Sequence, residues 1–224
     1  AKGNFYPYSS ETKEDLIVGP VIPLIYAISH LIEPEGYWPF FIYNILLASG
    51  VVIILYFLGK RLLNKKLGYF MAFWALLFYD FMRYTPTILK EPTICFFLAL
   101  LILLAVLYWQ SSKSYWILLG IALSYSVLIH TDERYLAIFP IILVLPTISD
   151  DAFKINKTQT IHTLFLFVIT LLLMIPWTIR NYKEYHEIVL LTPRTTAITS
   201  MFWGTNQSTI NFEGDERAYE LMEA

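Results

Sequence analysis

Lys90 and Glu91 stand side by side in the stretch YTPTILKEPTICFF, and Arg83 and Tyr84 lie within eight residues of Glu91. A second polar knot, His130-Thr131-Asp132-Glu133-Arg134, separates two apolar runs. A third, IPWTIRNYKEYHE at 175–187, sets Pro176, Trp177, Arg180, Asn181 and Tyr182 at the end of a long apolar run. Ionised side chains at membrane depth cost about 2.5–3.5 kcal/mol each on insertion scales and persist where partners or water relieve them. The three groups are therefore candidates for a site at a membrane surface. Each also has a plainer reading. Asp132, Glu133 and Arg134 could pair with one another at a helix turn, and Glu91 could complement the N-terminal dipole of the helix it opens. Trp177, Arg180 and Tyr182 could be an interfacial anchor with the Arg reaching for headgroup phosphate.

The elements that must position these residues are apolar helices. With 57% hydrophobic and 15% charged residues, the chain is far from the ~45–50% and ~25% of soluble domains, and it reads as an integral, multi-pass membrane protein. A formal charge of −2 and the lack of a dense basic face argue against nucleic acid as a partner. The lone Cys95 lies in an apolar stretch, so neither a disulfide framework nor a CxxC metal clip is available. The chain opens on Ala1 without a signal-peptide pattern and is expected to be the membrane part of a longer protein.

Apolar runs fall at about 16–32, 39–59, 67–82, 92–109, 115–129, 135–145 and 161–179. The basic cluster Lys60, Arg61, Lys65 and Lys66 is assigned to the cytoplasm by the positive-inside rule. Counting onward, Lys113, Lys154 and Lys157 also fall inside. The segments 83–91, 130–134 and everything after Arg180 then lie outside. This topology makes the run 16–32, which carries Pro20, Pro23 and His30, an interfacial or re-entrant helix with both ends outside, with a true span as the alternative. The runs 115–129 and 135–145 cover only ~16–23 Å of a ~30 Å hydrocarbon core, so their polar turn is expected to be recessed. The expected fold is all-α: a polytopic membrane bundle of about six spans plus one interfacial or re-entrant helix. Its domains are a membrane part, 1–183, and the start of an extracytoplasmic segment, 184–224, helical from about Asp215.

Several classes lack their residues. No GxGxxG or GxxxxGK[ST] phosphate loop, HExxH or GxSxG occurs, and His30, His130, His162 and His186 are scattered without ligand spacing. No metal site is assigned. A lone histidine on such helices is more often packed than ligating.

The order of the pieces resembles a known family. GPVIPLIYAISHLI is similar to the Pro-rich short helix after the first extracytoplasmic loop of polyprenyl-phosphate-dependent glycosyltransferases of the GT-C class, of the protein-mannosyltransferase and aminoarabinose-transferase type. YNILLASGVVIILYFLGKRLLNKKLGYFMAFWALLF resembles their next span, basic turn and return span. YTPTILKEPTICFFLALLILL resembles the loop in which a Pro and an acid precede a Leu-rich helix, and YWILLGIALSYSVLIHTDERYLAIFPIILVLP their small-residue hairpin. IPWTIRNYKEYHEIVLLTPRTTAITSMFWGTNQ carries the most specific likeness, Pro-Trp then Arg-Asn-Tyr. Two features depart from the pattern. The family's acidic pair normally lies upstream of the Pro-rich helix, where this chain has only Glu11, Glu14 and Asp15 close to it. The hairpin turn reads Thr131-Asp132-Glu133-Arg134 in place of the common Thr-Arg-Pro.

The resemblance implies transfer of a sugar, with inversion, from a polyprenyl-phosphate donor to a hydroxyl or amine of a glycan, lipid or protein acceptor. It places the protein in a plasma (inner) membrane with the active side extracytoplasmic. It gives Glu91 an acidic, acceptor- or metal-positioning role and makes Asp132 a second catalytic candidate. Arg83 and Lys90 take the phosphate side. Arg134, Arg180, Asn181 and Tyr182 join as binding residues, and Tyr84 and Trp177 contact isoprenoid or sugar. No cofactor is certain, and a divalent metal stays open because relatives differ. Two other classes fit the same charges: a non-enzymatic transporter or flippase, and an assembly subunit.

Overall fold

The computed structural model describes residues 19–78, 90–110, 114–147, 157–186 and 188. The expectations for 1–18, for Arg83 and Tyr84, and for the helix beginning near Asp215 fall outside the described residues. Seven α-helices occur among the described residues: α1 (Val21–Ile32), α2 (Trp38–Leu62), α3 (Lys65–Leu77), α4 (Glu91–Gln110), α5 (Tyr115–Thr131), α6 (Phe139–Val144) and α7 (Lys157–Tyr185). Two 3-10 turns, Glu133–Ile138 and Leu145–Thr147, flank α6. Among the described residues the fold is all-helical, as the apolar runs require, because a segment without water must satisfy its backbone internally. Helices α2, α4 and the stretch Lys157–Lys183 of α7 are long and apolar enough to cross a bilayer.

Helix starts follow local chemistry. Asn64 caps α3 by accepting from the Leu67 amide at 3.0 Å, and Ser114 caps α5 by accepting from the Trp116 amide at 3.3 Å, each satisfying a donor left free by the first turn. Pro39 and Pro92 sit in the first turns of α2 and α4, where a missing N–H costs nothing.

Helix α5 is the centre of the bundle. Leu118, Ile121, Ala122, Tyr125 and Leu128 are fully buried and pack with Leu101 and Tyr108 of α4, Ile142 of α6 and Leu166 and Met174 of α7. Lipid tails are as apolar as Leu, so van der Waals fit and small residues, more than water exclusion, hold such a bundle. Gly59 and Gly68 meet that requirement at the α2–α3 crossing: a Cβ on Gly68 would lie 2.6 Å from the Tyr56 carbonyl oxygen. The outer faces carry Leu46, Phe73 and Trp74, each more than half exposed, the surface expected of a protein solvated by lipid.

Helices α2, α4 and the return arm run one way, and α3, α5 and α7 the other. The Tyr43 and Thr93 hydroxyls are hydrogen-bonded at 3.0 Å near the starts of α2 and α4, while Gln110 donates to the Arg61 carbonyl at 3.1 Å near their ends. Helix α1 returns to the end it started from. Gly19 packs on the His130 backbone so closely that a Cβ would collide with the His130 carbonyl oxygen, and the Tyr26 ring packs tilted against Tyr37, with centroids 6.0 Å apart, beside the start of α2. Both termini of α1 therefore lie at one end of the bundle, the arrangement of an interfacial or re-entrant helix.

Two expected elements differ. The run 135–145 is not one short helix but a 3-10 turn, six α-helical residues and another 3-10 turn. Asp132 opens it by accepting from the Arg134 amide, and Trp109 secures it by donating to the Leu145 carbonyl at 3.0 Å. The last apolar run does not stop at Pro176 or Ile179. Helix α7 continues to Tyr185 with Pro176 inside it, a placement that neighbouring packing makes tolerable in membrane helices.

Candidate active site at one end of the bundle

Asp132 is the C-cap of α5. Its amide reaches back to the Leu128 carbonyl at 2.9 Å, and its extended backbone turns the side chain inward, where it is 2% exposed. One carboxylate oxygen, Oδ1, accepts from the Arg134 amide at 3.1 Å and from Arg134 Nε at 2.8 Å. The other, Oδ2, accepts from Arg134 Nη2 at 2.5 Å and from Lys90 Nζ at 2.8 Å. The two polar loops legible in the sequence are thus one constellation. Burial alone would raise the Asp132 pKa, but the hydrogen bonds from Arg134 and Lys90 outweigh it and hold the carboxyl far below its usual range. One carboxylate between two cations leaves the triad with surplus positive charge. Its cationic ends stay wet, with Lys90 37% and Arg134 64% exposed.

Glu91 follows Lys90 as the first residue of α4. Its Oε2 is buried and meets no hydrogen-bond partner among the described residues. A buried acceptor without a partner is rare enough to need a reason, and a site waiting for a donor is one.

Beside this end of α5 an apolar cavity of about 350 Å³ opens. Pro20, Val21 and Leu24 form one wall, Ser126, Val127 and His130 of α5 a second, and Leu173, Pro176 and Trp177 of α7 the third. His130 Nδ1 lies 2.7 Å from the Ser126 carbonyl oxygen, and as its donor leaves Nε2 the ring's acceptor when the ring is neutral. The Arg180 guanidinium lies 4.9 Å from the Trp177 ring centroid, within cation–π range. Arg180 Nη1 also donates to Asn181 Oδ1 at 3.1 Å, and Asn181 is fully buried. Tyr182 is 54% exposed.

The structure therefore brings together Lys90, Asp132 and Arg134, places Glu91 next in chain, and joins Arg180 to Asn181 and to Trp177, which lines the cavity. Tyr182 is in none of these contacts. Among the described residues no three His, Cys, Asp or Glu side chains converge as a metal set. Sequence reasoning named His130 in the second polar knot without giving it a role of its own, and passed over Gly19. The signal for Gly19 was its place before Pro20 at a helix start, but the close approach that requires glycine comes from α5, more than a hundred residues away.

A family model described as dolichyl-phosphate-mannose-protein mannosyltransferase matches residues 18–179. No curated protein and no solved structure matches the chain.

Proposed function

The chain belongs to the dolichyl-phosphate-mannose-protein mannosyltransferase family, membrane glycosyltransferases of the GT-C class, and from that premise we propose a specific reaction. A sugar moves from a polyprenyl-phosphate donor to an acceptor hydroxyl or amine on the extracytoplasmic side of the plasma membrane. The acceptor atom attacks the anomeric carbon opposite the phosphate, the carbon–oxygen bond to phosphate breaks, and its electron pair leaves on the lipid phosphate. A carboxylate takes the acceptor's proton. Inversion follows from the single displacement.

The observation that carries this reading is the cationic triad together with the unpartnered carboxylate oxygen of Glu91, the residue after Lys90 in the chain. Lys90 and Arg134, held by Asp132, supply positive charge where a leaving phosphate becomes a dianion. Both Asp132 oxygens are engaged, which suits it to fixing the two cations and leaves the proton to Glu91, whose buried Oε2 has no partner among the described residues. Arg83 joins the phosphate side, Tyr84 and Trp177 contact isoprenoid or sugar, and Arg180 with Asn181 anchors the incoming headgroup near Tyr182. The apolar cavity beside Trp177 has the chemistry of an isoprenoid tail.

The test is transfer from a radiolabelled polyprenyl-phosphate sugar by the full-length protein in proteoliposomes. Glu91→Gln should lower turnover by about 10²–10⁴-fold, the usual worth of a general base. Turnover equal to the parent's in both Glu91→Gln and Lys90→Gln would sink the proposal.

A further inference from the structure

At the other end of the bundle, Lys60 and Arg61 close α2 and Lys65 and Lys66 open α3. All four are exposed, and none forms an ion pair among the described residues. The turn between the helices is only Leu63-Asn64, and the Gly59–Gly68 contact draws the two helices together, so four positive charges share one corner. Lys65 and Lys66 stand in a first helical turn, where the macrodipole disfavours cations. Beyond the positive-inside bias, local helix electrostatics give them no stabilising role there.

A second observation continues from that corner. Between α2, α3 and α4 runs an apolar groove of about 400 Å³, lined by Val51 and Leu55, by Phe70, Trp74 and Phe78, and by Cys95. Its nearest wall, Phe70, lies one helical turn beyond Lys66. From Phe70 to Phe78 it extends about 12 Å along the helix axis. Phe70 and Trp74 stack with centroids 6.1 Å apart and stay about 60% exposed, forming an open aromatic side to the groove. Cations at a bilayer surface with a greasy channel leading toward mid-membrane match one kind of molecule, an anionic lipid.

We propose that the α2–α3 corner and this groove bind one anionic phospholipid, its phosphate among Lys60, Arg61, Lys65 and Lys66 and one acyl chain along the groove toward Cys95. The basic corner lies at the end opposite the triad at Asp132, and although the far end of the groove at Cys95 comes within one helical turn of Glu91, the groove's occupant is a resident lipid, not a reactant. Juxtamembrane cations attract anionic headgroups generally; the groove is what turns a diffuse attraction into a single site.

Native mass spectrometry of the full-length protein, titrated with phosphatidylglycerol and with phosphatidylcholine, reads this directly. One phosphatidylglycerol should bind at least roughly tenfold more tightly than phosphatidylcholine, on the scale expected for several surface cations. The variant K60Q/R61Q/K65Q/K66Q should lose that preference. Because removing four cations can also disturb membrane insertion, Ala75→Trp provides the second arm. It fills the groove beside Trp74, keeps every charge, and should also abolish the tight phosphatidylglycerol. Lys157→Gln, a cation at the same end outside the corner, should change nothing. Parental phosphatidylglycerol binding in Ala75→Trp, or equal loss in Lys157→Gln, overturns the proposal.

Discussion

Asp132 sets the energetics of the candidate site. It is a buried carboxylate with two cationic partners, so removing it leaves Lys90 and Arg134 facing each other without a counter-charge. Breaking a fully buried pair costs about 3–5 kcal/mol, but the exposure of both cations lets water screen them, and about 1–2 kcal/mol is expected for Asp132→Asn. Apparent thermal unfolding in a mild detergent measures it. The pH dependence has a definite sign. Because the folded pKa is depressed below the ordinary ~3.9, the stabilisation is fully present above about pH 4 and is lost as pH falls toward the folded value. The gap between the parent and Asp132→Asn should therefore be constant from pH 7 to about pH 5 and narrow below about pH 4. A gap that instead closes between pH 6 and 7 would mean that a histidine, not Asp132, governs it. At this scale the sequence was informative about residue types and poor about partners. Glu91 at a helix start could be read from Pro92 and the apolar run after it. The Lys90–Asp132 pair could not, since the residues are 42 positions apart and local periodicity carries no record of tertiary pairing.

Helices extend this argument because two of them are positioned by glycines. Gly19→Ala would drive a methyl into the His130 carbonyl oxygen, and backbone cannot yield as a flexible side chain does. The start of α1 should then leave α5 and open the apolar cavity. The expected readout is at least a tenfold loss of sugar transfer with α-helical circular dichroism unchanged. Gly68→Ala meets the Tyr56 carbonyl at 2.6 Å and should destabilise the α2–α3 pair by about 1–3 kcal/mol through overpacking, measured as a lower apparent unfolding temperature. Apolar runs located every described long helix. Their ends were less legible where tertiary contacts overrode local signals. Pro176 looked like a stop, yet α7 continues two more turns past it, with Asn181 fully buried and Arg180 stacked on Trp177. The return arm after Asp132 looked like one helix, yet 3-10 turns at both ends let it pack where Trp109 and Tyr125 hold it.

Among the described residues the two main polar clusters lie at opposite ends of the bundle. Glu91, Asp132 and the cavity occupy one, while the other carries the basic corner and a buried hydrogen bond of 2.6 Å between Tyr108 and His162 Nδ1. That bond joins α4 to α7, with the Tyr115 ring edge-on to His162 at 4.9 Å. Tyr108→Phe should therefore cost about 1 kcal/mol of stability and leave the Michaelis constant for the donor unchanged, because the bond lies at the end remote from the triad. The short central hairpin has a further consequence. Helix α5 has 17 residues, about 26 Å at 1.5 Å per residue, whereas an average hydrocarbon core is ~30 Å thick. Because α5 lies inside the bundle beside the 20-residue α4 and the 29-residue α7, a bilayer matched to those longer helices leaves the Asp132 turn sunk beneath its surface, and thinning towards it costs fractions of a kcal/mol per ångström. Lipid chain length thus becomes a control on catalysis: transfer should be fastest in short-chain bilayers and slow progressively as acyl chains lengthen, even at constant headgroup and donor concentration.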